Sequence, residues 1–214
     1  MRTDPLQEVR IRKLIEQAQA DQLAGRFDVA RAVYEQLLAA NPGHAAAMHG
    51  LGVLCVQEGK IDAAEDWLRK AVEADPGQAR NWNDLGEALR YQGRTDEAIV
   101  AYQHALGLEP DFVEALNNLG VVKAGCDSMA EAEQCFLEAI RLDPGYAHPY
   151  NNLGVLYESQ DRVDDALRHY EAAVMHKADF VEAKANYANL LGRMPDRLLS
   201  SVTRLLDEMK GRIK

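Results

Sequence analysis

The stretch NWNDLGEALRYQGRTDEAIVAYQHALGLEP, Asn81 to Pro110, carries two helical patterns with a turn between them. In the first, Trp82, Leu85 and Leu89 recur at steps of three and four. In the second, Ala98, Tyr102 and Ala105 do the same. Gly93 lies between the runs, where a left-handed residue ends a helix without a Cβ penalty. Pro110 closes the second run, because it lacks the N–H and clashes with the preceding turn. The reading is a hairpin of two short helices.

That hairpin recurs at an interval of 34 residues. Leu51-Gly52, Leu85-Gly86, Leu119-Gly120 and Leu153-Gly154 form one column, with Gln17-Ala18 before it and Tyr187-Ala188 after it. A second column reads Ala30, Ala64, Ala98, Ala132 and Ala166. Four residues later stand Tyr34, Leu68, Tyr102, Phe136 and Tyr170. Pro42, Pro76, Pro110 and Pro144 close four units, and Ala178 replaces the proline in the fifth. The small columns fall where two antiparallel helices cross most closely, and the large column fills the adjacent gap. Asp127 and Asp161 take the turn place held by Gly93, which Asp tolerates at some cost.

The columns resemble the tetratricopeptide repeat (TPR) family. Its pattern of W-x2-L-G-x2-Y, A-x3-F and P is matched by Trp82, Leu85, Gly86, Ala98, Tyr102 and Pro110, with Leu89 in the tyrosine place. Tyr150, Leu153, Gly154, Tyr157, Ala166 and Tyr170 match it as well. The resemblance implies an all-α, right-handed TPR superhelical solenoid occupying 1–214 as a single domain. Its units are expected at about 11–44, 45–78, 79–112, 113–146 and 147–180, with a half repeat over 181–194. A capping helix is expected at 196–213, whose stripe of Leu198, Leu199, Val202, Leu205, Leu206, Met209 and Ile213 suits a solenoid end. The same stripe is a possible surface for a second copy. In the first unit Gln17 and Asp21 replace Leu and Tyr, which predicts an end unit with one wet face.

Within this repeat an asparagine pair returns: Asn117-Asn118 in EALNNLGVV and Asn151-Asn152 in HPYNNLGVL. Asparagine costs up to about 0.7 kcal/mol against alanine inside a helix, so the repetition asks for a reason. A helix turns about 100° per residue, so positions 83, 84 and 87 leave the flank that carries Trp82, Leu85 and Leu89. By resemblance to the family, that second flank faces a concave groove. The peptide-binding candidates are therefore Asn83, Asp84, Glu87, Asn117, Asn118, Asn151, Asn152, Asn186 and Asn189. An amide offers an acceptor and two donors, the same set a peptide backbone presents. A ladder of them suits an extended polypeptide held without regard to its side chains. Such a ladder resembles the TPR superhelix of the O-linked N-acetylglucosamine transferases at Asn118, Asn152 and Asn186, while Asp84 departs and Gly50 and Glu16 abandon it. The Lys/Asn/Arg carboxylate clamp of other TPR proteins finds Glu114 and Glu182 at its basic places. Duplication of a unit would copy the pair without function, although Asn186 persists where its neighbours have changed. On this reading, replacing Asn118, Asn152 and Asn186 by Ala leaves the melting temperature unchanged or slightly raised.

A net charge of −10 and scattered Lys and Arg offer no basic face for nucleic acid. No apolar run approaches a membrane span, and the start lacks a signal core. Three cysteines without metal spacing fit reduced thiols in a cytoplasmic protein. No phosphate loop, dinucleotide fingerprint, G-x-S-x-G or H-E-x-x-H occurs, so neither an enzyme, a metal nor a cofactor is expected. Of the histidines, His49 and His148 lie on the groove side, where solvated surface is the plainer reading. The expected function is a scaffold gripping an extended partner segment. A targeting arm of a glycosyltransferase and a self-assembling scaffold stay open beside it.

Overall fold

The computed structural model describes residues 5–193, and these form helices joined by tight turns, with no strand among them. In order they are α1 (Pro5–Leu23), α2 (Phe27–Ala40), α3 (Ala45–Gln57), α4 (Ile61–Ala74), α5 (Ala79–Tyr91) and α6 (Thr95–Leu108). Then follow α7 (Val113–Gly125), α8 (Met129–Leu142), α9 (Ala147–Ser159), α10 (Val163–His176) and α11 (Val181–Gly192). The expected capping helix at 196–213, and with it the proposed self-association stripe, lies outside the described residues.

The chain divides into two compact units, Met1–Lys123 and Ala124–Lys214, with the division in the last turn of α7. In the N-terminal unit α1 pairs with α2, α3 with α4 and α5 with α6. Its first core joins Ala18, Ala30, Tyr34, Leu37, Ala47, Leu51 and Leu54, with Trp67 and Phe27 packed against it. In the C-terminal unit α9 pairs with α10, and α11 packs on α10. There Ala147, Ala173, Phe180 and Ala183 form a core under Tyr150 and Val174.

The close crossing expected at the glycine column is present in both units. A Cβ on Gly86 would lie 2.8 Å from the Tyr102 ring, and one on Gly154 would lie 2.5 Å from the Tyr170 ring. Gly52 meets Leu68 at 2.6 Å in the same way. Helices that approach this closely bring whole alanine columns to zero exposure, including Ala30, Ala64, Ala98, Ala132 and Ala166.

The turns follow from the sequence too. Gly25, Gly59 and Gly93 adopt a φ of 74°, and Asp127 and Asp161 take the same left-handed region at 57° and 58°. At Gly93 the chain closes with Arg94 N–H donating to the Leu89 carbonyl at 2.9 Å, the six-residue closure of a helix end. At three of the four prolyl turns an Asx side chain accepts from the glycine two residues on: Asn41 from Gly43 at 3.1 Å, Asp75 from Gly77 at 3.2 Å, Asp143 from Gly145 at 2.9 Å.

The first hairpin meets the expected wet face at Gln17, which is exposed, and departs from it at Asp21. Asp21, in the tyrosine place, is not wet: it is 5% exposed, and Arg26 clasps it at 2.6 Å. A buried carboxylate needs such a partner. Gln22 beside it is also buried and accepts from the Tyr34 hydroxyl at 3.2 Å.

Candidate functional site

The asparagine pairs divide into two classes. Asn83, Asn117 and Asn151 are 6%, 6% and 1% exposed, so the first place of each pair is enclosed between helices rather than open on a groove. Their placement on an open flank is therefore corrected. The second place, at Asp84, Asn118, Asn152 and Asn186, is half-buried, Glu87 is half-buried and Asn189 is exposed.

Within the N-terminal unit these groups form a continuous hydrogen-bonded chain. His49 on α3 meets the Asp84 carboxylate on α5 at 2.6 Å. The other Asp84 oxygen accepts from Asn83 Nδ2 at 2.9 Å. Asn83 Oδ1 accepts from Asn118 Nδ2 on α7 at 3.1 Å, and Asn118 Oδ1 accepts from Asn117 Nδ2 at 3.4 Å. His49 is thus part of a partly buried network, with only 12% of its side chain exposed, and not solvated surface. In the C-terminal unit Asn186 Nδ2 on α11 donates to Asn151 Oδ1 on α9 at 3.0 Å, and Asn151 Nδ2 reaches Glu182 at 3.4 Å.

The second-place amide therefore has a structural partner, the buried carbonyl of the preceding hairpin. An orphaned buried acceptor costs about 1–3 kcal/mol, more than the helix propensity regained by alanine. The expectation that the triple alanine variant melts unchanged or higher is revised to a loss. What remains for a ligand is the rest of each amide's capacity: a carboxamide has two N–H donors, and Asn118 and Asn186 each spend one of them on a neighbouring hairpin.

A hollow of about 780 Å³ opens in the N-terminal unit, along α1, α3 and the start of α5. Of the peptide-binding candidates it collects only Asp84. His49, placed on the groove side from sequence, lines it too, but its other polar residues carry no sequence signal of a groove: Gln19, Gln22, Gln57, Gln78, Asn81, Arg80, Asp75 and Glu109. Only Gln22 and Gln57 carried a periodic signal, standing 35 residues apart, whereas Gln19, Gln78 and Asn81 have no amide at a step of 34 or 35. Gln22 Nε2 donates to Gln57 Oε1 at 3.0 Å, repeating on α1 and α3 the bridge seen between later helices.

Glu87 accepts from the Tyr91 hydroxyl at 3.3 Å, and its carboxyl is held above the usual range by burial and by the charge of Asp84. Cys55 is core, at 3% exposure, whereas Cys126 is exposed. Trp82 is half-buried, stacks on His104 at 4.4 Å and donates from its indole nitrogen to the Pro76 carbonyl at 2.9 Å. Among the described residues, no group of three or more His, Cys, Asp and Glu is placed to hold a metal, and no helix is long and apolar enough to cross a membrane.

Models of the tetratricopeptide repeat match residues 15–79 and 111–174, and a TPR repeat model matches 86–125. The chain belongs to the tetratricopeptide repeat family. Comparison with the curated proteins found no match. Among solved structures, MamA aligns with a TM-score of 0.64 at 26% identity, over 79% of this chain and 97% of that one. YrrB, described as a TPR protein with an unusual peptide-binding site, aligns with a TM-score of 0.61 at 25% identity, over 80% and 89%. PilF of Pseudomonas aeruginosa shares the fold with a TM-score of 0.78 at 21% identity, over 94% and 92%.

Proposed function

We propose that the protein is an interaction scaffold that holds an extended polypeptide segment along the amide-lined faces of its first helices. The observation carrying this reading is the hollow of about 780 Å³ lined by the exposed Gln19, Gln57 and Gln78. Carboxamides there present donors and acceptors that pair with a peptide main chain irrespective of its side chains. The bridged asparagines support it differently. Asn118 and Asn186 are fixed by their neighbours, so little side-chain entropy is lost when they engage a ligand. Affinity is modest, since each hydrogen bond nets about 1 kcal/mol and the segment must be ordered on binding. The peptide-binding site named for YrrB, in a chain of similar fold, points the same way.

Fluorescence anisotropy with a panel of disordered peptides tests this. The wild type is expected to bind several unrelated sequences at similar strength, and the Gln19→Ala/Gln57→Ala/Gln78→Ala variant to bind all of them at least about fivefold more weakly. These glutamines are exposed, so the variant should keep the wild-type fold by circular dichroism. Undiminished binding by that variant refutes the reading.

A further inference from the structure

We infer that the hollow of the N-terminal unit selects an extended segment carrying one large apolar side chain followed closely by a cationic one. This rests on the groove reading above and adds a side-chain preference to it. The hollow is graded in character. At the end marked by the Gln22–Gln57 bridge, Leu23 stands 86% exposed, and Val53 lines the same wall. In its middle, Ala46 raises only a methyl group and Gly50 no side chain. Gly50 takes the ladder place occupied by Asp84 in the next unit. Glycine is required there, because a Cβ would fall 2.4 Å from the Tyr34 ring. The rung is thus deleted at Gly50, in a hollow that the exposed Leu23 also lines.

Around the start of α5 the character changes. Asp75, Asp84 and Glu109 line the hollow there, beside Phe112 and against one guanidinium, Arg80, and His49 is paired with Asp84. An apolar side chain laid on Leu23 and Val53 removes apolar area from water on both partners. A Lys or Arg further along then meets the carboxylates, whose local excess also disfavours acidic sequences. The exposed amides of Gln57 and Gln78 hold the main chain between the two anchors.

The test is an NMR titration of the ¹⁵N-labelled full chain with three synthetic probes. The first is a short Gly-Ser peptide bearing one Phe and, two residues later, one Lys. The second has Ser for Phe, and the third has Glu for Lys. The first probe should shift the amide signals of Gly50, Val53 and Gln57, and each altered probe should bind about tenfold more weakly. Leu23→Ser, at a site too exposed to affect folding, should weaken the first probe about fivefold and leave the Ser probe unchanged. Glu109→Lys should reduce the preference for Lys over Glu. Equal affinities for all three probes at those signals overturn the inference and leave the groove reading standing. Absence of shifts with every probe removes both.

Discussion

At the scale of single residues, the buried phenols carry a rule of their own. Tyr34 and Tyr170 each give their hydroxyl to the residue twelve places earlier, Gln22 at 3.2 Å and Glu158 at 2.7 Å. Where the column carries Leu68 or Phe136, that earlier place holds Val56 or Ala124, which offer no polar side-chain atom. Tyr102 breaks the rule. Its earlier residue is Arg90, whose guanidinium lies over the Tyr91 ring and 3.9 Å from Glu87. The Tyr102 hydroxyl, fully buried, is left without a hydrogen-bond partner among the described residues, and burial raises its pKa. Tyr102→Phe should therefore keep or raise stability by about 1 kcal/mol, while Tyr170→Phe should lower it by a similar amount, both read from urea denaturation. A second pair of substitutions tests the close crossings. Gly86→Ala should cost about 1–3 kcal/mol by overpacking against Tyr102. Gly107→Ala, with nothing within 4 Å of the new Cβ, should gain up to about 1 kcal/mol in the same assay. The glycine column was legible in the sequence because spacing alone places it at the crossing. The phenol rule was not, since its two ends lie on different helices.

For the individual helix, the sequence told which flank of its own axis a side chain leaves from, but not what closes over that flank. Asp127 and Asp161 were legible as left-handed turn residues because a turn is a local event. The enclosure of Asn83, Asn117 and Asn151 was not. The bonds that enclose Asn83 and Asn151 join residues 35 apart, one more than the repeat, as Asn118 to Asn83 and Asn186 to Asn151 show. A column drawn at the repeat length misses a partner offset by one. The entry to α11 carries a pH effect of similar origin. His148 on α9 lies between Tyr146 at 5.2 Å and Phe180, the residue preceding α11, at 4.7 Å. Burial and then the charge of Lys177 push its pKa below the ordinary value, against a weaker opposing pull from Glu182. The folded chain thus binds fewer protons at this site than the unfolded chain, which titrates near 6.5. The stability from neutral His148 is complete above that value and is lost as pH falls through it toward the folded pKa. Urea midpoints between about pH 7.5 and 5.5 should fall with acidification, and less steeply in His148→Gln.

Across the molecule, all-α architecture and repeat period follow from columns that a single sequence displays, because each unit solves the same packing problem. Of the peptide-binding residues proposed from sequence only Asp84 enters the hollow, since the amides lining it are four glutamines and Asn81, all outside the asparagine-pair columns. The structural share of the ladder can be measured directly. Asn118→Ala and Asn186→Ala should each destabilise by about 1–3 kcal/mol, because each strips the buried Asn83 or Asn151 carbonyl of its donor. An unchanged urea midpoint in both would show that those bridges hold nothing. The bridges and the Tyr34–Gly50 fit also limit how such a chain can be rebuilt. The helix bearing Gly50 is shaped to follow Tyr34, and the one bearing Asn118 to follow Asn83. Hairpins that look like interchangeable parts in alignment are keyed to their predecessors, so shuffling their order should abolish cooperative unfolding even with every residue retained.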